Sequence, residues 1–496
     1  MYNSLSAAML QLVNMIVGFI TPKVMLVYYG SAINGLVSSI LQFLTYFNLV
    51  EAGLSAAAVY ALYKPLADEN HKEISAVVSA ARKFYNQIGI IFVLLTVALA
   101  IAYPAYIKSE ELSFLEMSLL IVALGSNTSL QFFTLSKYSP LLTADQRNYV
   151  VSISNALTQI LRTVMIVVFA IMGMNIVWLK FCTLLSVVVR FLILRTYTRR
   201  KYDFINYKEE PNVRALDKRW DALYLQILGA IQNGAPVVLL TILTKDLKLV
   251  SVYAIFNMVL VGINGVLGIF NNGLAASFGE VLAKKQTDVL KQAYKEFEFS
   301  YYLIASVIYS LVFALIMPFI RIYTQNIVDT NYDMPLVGFL FALSGLVANL
   351  KTPQGMMVIS AGMYKETRWR STLQGIILLI FGIVLTPVMR ISGVLIASIL
   401  SHLYRVVDLV IFVPKKITGT KVAGSVFRMA KMLLCVALAV LPFEFIQITP
   451  QNFVEWAVDA VFVGVYALIV VLTVNFIFDA KTMIKVVSRI KRLVKR

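Results

Sequence analysis

Ile20–Ser55 reads ITPKVMLVYYGSAINGLVSSILQFLTYFNLVEAGLS, and this stretch decides the fold. An apolar run interrupted by Thr21-Pro22-Lys23 leads into a tight turn over Tyr29-Gly30-Ser31-Ala32-Ile33-Asn34-Gly35. A second apolar run then returns to Glu51-Ala52-Gly53-Leu54-Ser55. Two membrane spans are paired here, and one carries a cation. Proline removes a backbone hydrogen bond and bends a helix, and a charge in hydrocarbon is costly unless it faces protein or water. Pro22-Lys23 is therefore expected to line a cavity, and a polar cavity between membrane helices points to transport.

Outward from this hairpin the whole chain has the same character. It is 59% hydrophobic and 14% charged over 496 residues, with a mean hydropathy of +0.79, whereas a soluble globule is about 45–50% apolar. The expected class is an all-α, polytopic membrane protein. The net charge of +18 does not indicate a nucleic-acid partner, because the bases fall in short segments between apolar runs, as orientation by positive loops requires. Cys182 and Cys435 lie in separate apolar runs and read as packing residues, and two histidines argue against a histidine-based metal site. The N-terminal run pairs with the next and reads as a span, not as a removed signal peptide.

About 20 apolar residues cross a bilayer. Fourteen candidate spans follow, near 4–28, 34–63, 84–107, 115–139, 149–172, 175–196, 221–244, 249–278, 299–323, 335–360, 370–388, 391–413, 427–446 and 455–478. Alternate connecting segments are rich in Lys and Arg, notably those with Lys64 to Lys83, Arg195 to Arg219, Lys284 to Lys295 and Lys415 to Lys431. The opposite side holds only Lys108, Lys245, Lys248, Arg321 and Arg390, accompanied by Glu110, Glu111, Asp329, Asp333 and Glu455. Both termini are expected in the cytoplasm.

Thr196 to Arg219, the longest non-apolar stretch, divides the chain. Across it runs a faint echo: Gly53-Leu54-Ser55-Ala56 returns as Gly273-Leu274-Ala275-Ala276, Lys64 as Lys284, Pro104 as Pro318, Lys137 as Lys351 and Arg190 as Arg405. Equivalent points share an orientation, which makes this a parallel repeat. The expected architecture is two pseudo-symmetric six-helix lobes around a central cavity plus two C-terminal helices. The N-lobe covers 1–200, a cytoplasmic linker 201–219, the C-lobe 220–416, the last two spans 425–478 and a basic cytoplasmic tail 479–496. The tail reads as a surface helix on anionic lipid.

The Tyr29-Gly30 turn, Gly35, the Glu51–Ser55 close of the second span and the turn Leu142-Thr143-Ala144-Asp145-Gln146-Arg147-Asn148-Tyr149 resemble the Wzx-type oligosaccharide (polysaccharide repeat-unit) flippases. These belong to the multidrug/oligosaccharidyl-lipid/polysaccharide exporter superfamily, with the MATE drug exporters and the lipid II flippases. The resemblance covers essentially the whole chain as a pattern of spans. It implies a V-shaped cavity between two lobes, opening to alternate sides. Its cargo would be an undecaprenyl-pyrophosphate-linked oligosaccharide, moved to the outer leaflet of the bacterial inner membrane for surface polysaccharide biosynthesis. Implied partners are the lipid-linked oligosaccharide, membrane lipids and a polysaccharide polymerase machinery. Fourteen spans suit these flippases and the lipid II type, and twelve would suit the drug exporters better.

Seven basic residues lie within spans: Lys23, Lys137, Arg162, Lys180, Arg190, Lys351 and Arg405. The in-span acids are chiefly Glu51 and Asp408. This excess favours an anionic head over a cationic drug. Lys351, between Asn349 and Pro353, sits mid-way along the tenth span, Arg162 is deep in the fifth and Lys23 is past the middle of the first. These three are the expected substrate-binding cations. Lys137, Lys180, Arg190 and Arg405 lie nearer interfaces and read as snorkelled or locally paired. Glu51 either holds a coupling Na+ or H+ or pairs with Lys23 across the hairpin, and pairing is the preferred reading. Arg405 and Asp408, three apart on one helix face, are expected to pair. No nucleophile constellation, phosphate loop or metal motif appears, so neither enzymatic activity nor a cofactor beyond a coupling ion is expected. A MATE-like cation-coupled drug exporter is the alternative within the fold. A membrane polymerase or ligase acting on lipid-linked sugars is the alternative outside it, but such an enzyme would place catalytic residues in a substantial outer loop.

Overall fold

Within hydrocarbon a backbone finds no water, so its polar groups are satisfied inside helices, and helices are what this chain forms. The computed structural model describes residues 2–494 apart from Ala52, Lys208, 213–218, Gly273, Lys285 and Gln447. Side chains are described except at 219–226, 269–272 and 274–276 and, past residue 485, only that of Ser488 is described. Among the described residues, 12 helical stretches are long and apolar enough to cross a membrane. Two of them, Tyr2–Ala67 and Tyr364–Thr418, run for 66 and 55 residues, far beyond one crossing. Helix α1 (Tyr2–Phe47) loses helical dihedrals at Gly30 (φ 81°, ψ 172°), and α15 (Tyr364–Val413) at Arg390 (φ 51°, ψ −124°). Divided at these points, the stretches give the fourteen spans expected. The turn expected over Tyr29–Gly35 thus narrows to one residue, in a backbone region that glycine reaches without a Cβ clash.

The remaining helices are α2 (Leu54–Ala67), α3 (His71–Tyr106), α4 (Phe114–Thr134), α5 (Ser139–Ala144), α6 (Asn148–Ile171), α7 (Ile176–Cys182), α8 (Leu185–Lys201), α9 (Arg219–Thr244), α10 (Leu247–Asn272), α11 (Leu274–Ala283), α12 (Thr287–Tyr323), α13 (Pro335–Leu350), α14 (Thr352–Ser360), α16 (Val422–Val440) and α17 (Phe453–Val494). Polar side chains close several helix starts. Ser113 and Glu116 form a capping box on α4, Asn70 accepts from the Glu73 amide at 3.1 Å, and Asn452 accepts from the Glu455 amide at 3.0 Å. The chain divides into two compact units, Met1–Ala254 and Ile255–Arg496.

In the first unit the second arm of α1 packs on α10 through small residues, as membrane helices do. Gly35 lies so close to the Leu247 carbonyl that a Cβ there would overlap it. Beside it the Asn34 amide donates to Ser251 Oγ at 2.7 Å. Tyr103 and Thr241 each donate to Ser39 Oγ at 2.9 Å, which joins α3 and α9 to the same arm. At the cytoplasm-predicted end the segment after α8 folds under α3: the Asn206 amide donates to Ser75 Oγ at 3.1 Å, and the Phe204 and His71 rings stack at 3.8 Å.

In the second unit a buried polar seam joins α12 to its neighbours. Asn349 accepts from Tyr301 and donates to Tyr309, both at 2.6 Å. Glu298, fully buried, accepts from Gln354 at 2.8 Å, Ser425 at 3.2 Å and Arg428 at 2.6 Å, which ties α16 to α12 and α14. The Trp456 indole donates to the Leu315 carbonyl at 3.3 Å and fixes the start of α17. Helix α17 breaks at Asp479, and the basic segment beyond it continues as backbone helix to Val494.

One pair of helix breaks follows the echo in the sequence: α4 and α5 are separated at 135–138 and α13 and α14 at Lys351, which pairs Lys137 with Lys351. Large apolar residues stand exposed at helical spacing, among them Leu5, Leu12 and Ile16 on α1 and Val454, Val458, Val461 and Val465 on α17. Lipid is the medium that makes such faces stable, and the chain is a multi-pass membrane protein.

Candidate functional site

Asn155, Gln159 and Arg162 fall four and three residues apart on α6, so one face of that helix is polar. That face lines a cavity of ≈ 280 Å³ inside the first unit, completed by Asn14 of α1, Gln131 of α4 and Arg190 of α8. The Arg190 guanidinium donates to Gln131 Oε1 at 3.2 Å, and the Gln131 amide is itself committed to Asn127 at 2.8 Å. The Nε atoms of Arg162 and Arg190 are buried and make no hydrogen bond. Lys180 of α7, 7% exposed, lies within electrostatic reach of Arg162, as does Arg190. Among the described residues none of these three cations has a carboxylate partner, and no acid lines the cavity. Lys180 and Arg190, read as snorkelled or locally paired, are gathered around Arg162. A span-by-span reading missed this because the three arrive on different helices. The signal was available in part, as bases in the fifth and sixth spans with no acid in either.

Lys351 lies in the second unit, at the joint between α13 and α14. Its Nζ is 3.1 Å from His402 Nδ1, and the Gln374 amide nitrogen is 3.3 Å from the same atom. Two donors converge on Nδ1, so the network assigns it as the acceptor and places the imidazole proton on Nε2. Arg405 is close enough to Lys351 to interact with it. Asp408 pairs with Arg405 at 2.6 Å, as the three-residue spacing predicts, and also with Arg370 from the cytoplasm-predicted end of α15. Two arginines thus share one carboxylate. His402 drew no notice in the sequence except as one histidine of two, although His402, Arg405 and Asp408 recur at three-residue intervals.

Lys23, half-buried in the first arm of α1, is not among the residues lining the cavity of the first unit. Its expected ion pair with Glu51 is not formed. Glu51 sits in a short 3-10 turn, Asn48–Glu51, and accepts a hydrogen bond from Tyr85 at 3.4 Å. That turn carries Glu51 against α3, where a phenol and not an ammonium meets it. Arg162 and Lys23 therefore belong to the first unit and Lys351 to the second.

No family model and no curated protein matches this sequence. Solved structures do match. The lipid II flippase MurJ in an inward closed conformation superposes with a TM-score of 0.70 at 12% identity, covering 95% of this chain and 98% of that one. An inward-facing multidrug resistance MATE family transporter of the MOP superfamily gives 0.65 at 12% identity over 86% and 96%. A MOP superfamily transporter from Pyrococcus furiosus, described as having a binding pocket of reversed polarity, gives 0.60 at 13% over 87% and 97%. The chain has the fold of the MOP superfamily transporters.

Proposed function

We propose that the protein is a flippase that moves undecaprenyl-pyrophosphate-linked oligosaccharide repeat units across the bacterial cytoplasmic membrane by alternating access, for surface polysaccharide biosynthesis. No bond is made or broken. The observation that carries this reading is the gathering of Arg162, Lys180 and Arg190 in membrane-spanning helices without a carboxylate. Charge is expensive in a bilayer and persists where a counter-charge is part of the work. A diphosphate headgroup supplies that counter-charge, whereas a cationic drug would be repelled. Lys351, Arg162 and Lys23 are the cations assigned to the headgroup. Glu51, held by Tyr85, is the carboxylate assigned to a coupling Na+ or H+. The likeness to a lipid II flippase supports a lipid-linked cargo, and the products would pass to a polysaccharide polymerase.

Deleting the gene should leave lipid-linked repeat units on the inner leaflet. Single units arriving outside unpolymerised would instead mark a polymerase or ligase, and a change confined to drug sensitivity would mark an exporter. Lys351→Ala should lower surface polysaccharide about tenfold or more while the protein is still inserted. Normal polysaccharide in that variant would remove Lys351 from the site.

A further inference from the structure

The cavity of the first unit holds more than cations. Asn14, Asn155 and Gln159 line it, and their side-chain amides make no hydrogen bond to any described residue. With the guanidinium groups of Arg162 and Arg190, five donor-bearing side chains from three helices, α1, α6 and α8, face one volume. Each arginine also keeps a buried Nε without a partner. Gln131 Oε1 is engaged by the Arg190 hydrogen bond, and the amides of Asn14, Asn155 and Gln159 each bring an acceptor oxygen beside their donors, so the two guanidinium groups set the sign of the site. A site rich in free donors, doubly positive and without a carboxylate is matched to an anion and opposed to a cation. Its size admits small anions. At roughly 30 Å³ per water molecule, ≈ 280 Å³ is about nine waters, room for a hydrated chloride, a phosphate or a diphosphate group.

We infer that this cavity binds a free inorganic anion of halide to phosphate size, which occupies Arg162 and Arg190 whenever the lipid diphosphate does not. The inference rests on the flippase reading only for that exchange of ligands. Binding by itself requires nothing of the cargo. An anion bound there cancels the repulsion between Arg162, Arg190 and Lys180, so occupancy also stabilises the folded unit by mass action.

The test uses full-length protein in nanodiscs of zwitterionic lipid. Radiolabelled chloride binding is measured at constant ionic strength with gluconate as the balancing anion, and phosphate and a polyprenyl diphosphate lipid serve as competitors. Saturable chloride binding, competed by phosphate, is expected. A charge-assisted hydrogen bond is worth enough that Arg162→Gln or Arg190→Gln should weaken binding about tenfold. Asn155→Ala with Gln159→Ala leaves the charge intact, guards against a folding defect, and should weaken binding several-fold. Absence of saturable chloride and phosphate binding in the unaltered protein, or binding that all of these variants leave unchanged, overturns the inference. Binding of the diphosphate lipid alone through these residues also overturns it and leaves the flippase reading intact. A deletion strain without accumulated lipid-linked units overturns the flippase reading and leaves the anion site standing.

Discussion

At the scale of single residues, the structure separates charges paired with an opposite charge from charges that have no carboxylate partner among the described residues. Glu298 and Arg428 belong to the first kind. Glu298 is fully buried and Arg428 partly so, 2.6 Å apart, and further hydrogen bonds satisfy the carboxylate. Removing one partner strands the other, which costs about 3–5 kcal/mol. Arg428→Ala is therefore expected to lower the thermal unfolding midpoint of the detergent-solubilised protein sharply, with the double replacement Glu298→Met/Arg428→Met recovering part of the loss. An unchanged midpoint in Arg428→Ala would remove the pair from the scaffold. Arg162, Arg190 and Lys180 belong to the second kind. Arg162 was legible in the sequence because depth along a span can be counted from its ends. Its companions were not, because counting along one helix says nothing about which neighbouring helix turns a base inward. Glu298 escaped notice for a related reason: it precedes the apolar run of its span, and only the helices packed around α12 reveal that it is buried.

At the scale of helices, close approach and local caps explain most of what is seen. Gly35 lets α1 and α10 meet backbone to backbone, so Gly35→Val forces the pair apart at a cost of about 1–3 kcal/mol. Reduced yield of monodisperse protein and a lower melting temperature would register this, and an unaffected melt would show that the interface repacks freely. The segment folded under α3 gives a prediction that depends on pH. Burial pushes the Tyr207 phenol up to about 12, above the unfolded value of about 10. The folded state then holds a proton that the unfolded state releases, so the contribution of Tyr207 is complete below about pH 10 and is lost as the pH rises to about 12. Protease cleavage between residues 202 and 212 should rise over that window, and Tyr207→Phe should flatten the rise. A rise identical in the two proteins would assign it to another group. The caps at Asn70, Ser113 and Asn452 are local contacts seen in the structure and drew no notice in the sequence. The break at Gly30 was read as a longer turn, since a glycine in a run of small residues does not reveal how little backbone a reversal needs.

At the scale of the molecule, fourteen spans, an even number, predict both termini on one side of the membrane. A fluorescent protein fused at either end is expected to fluoresce, and alkaline phosphatase fused within residues 108–112 is expected to be active. Activity of the phosphatase at residue 145 would invert the arrangement. The sequence alone determined that this is a helical membrane protein, how many spans it has, where the basic segments lie and that the two halves echo each other. Those properties follow from the cost of exposing backbone and charge to hydrocarbon, which each segment meets on its own. Only the tertiary structure decided which in-span charges are satisfied and which face a cavity: Glu51 met Tyr85 in place of Lys23, Lys351 met His402, and Arg162 met Arg190 and Lys180. Satisfaction of a buried charge is a property of pairs, and the pairs here are made by helices far apart in the chain, whose rotation about their axes no single segment encodes.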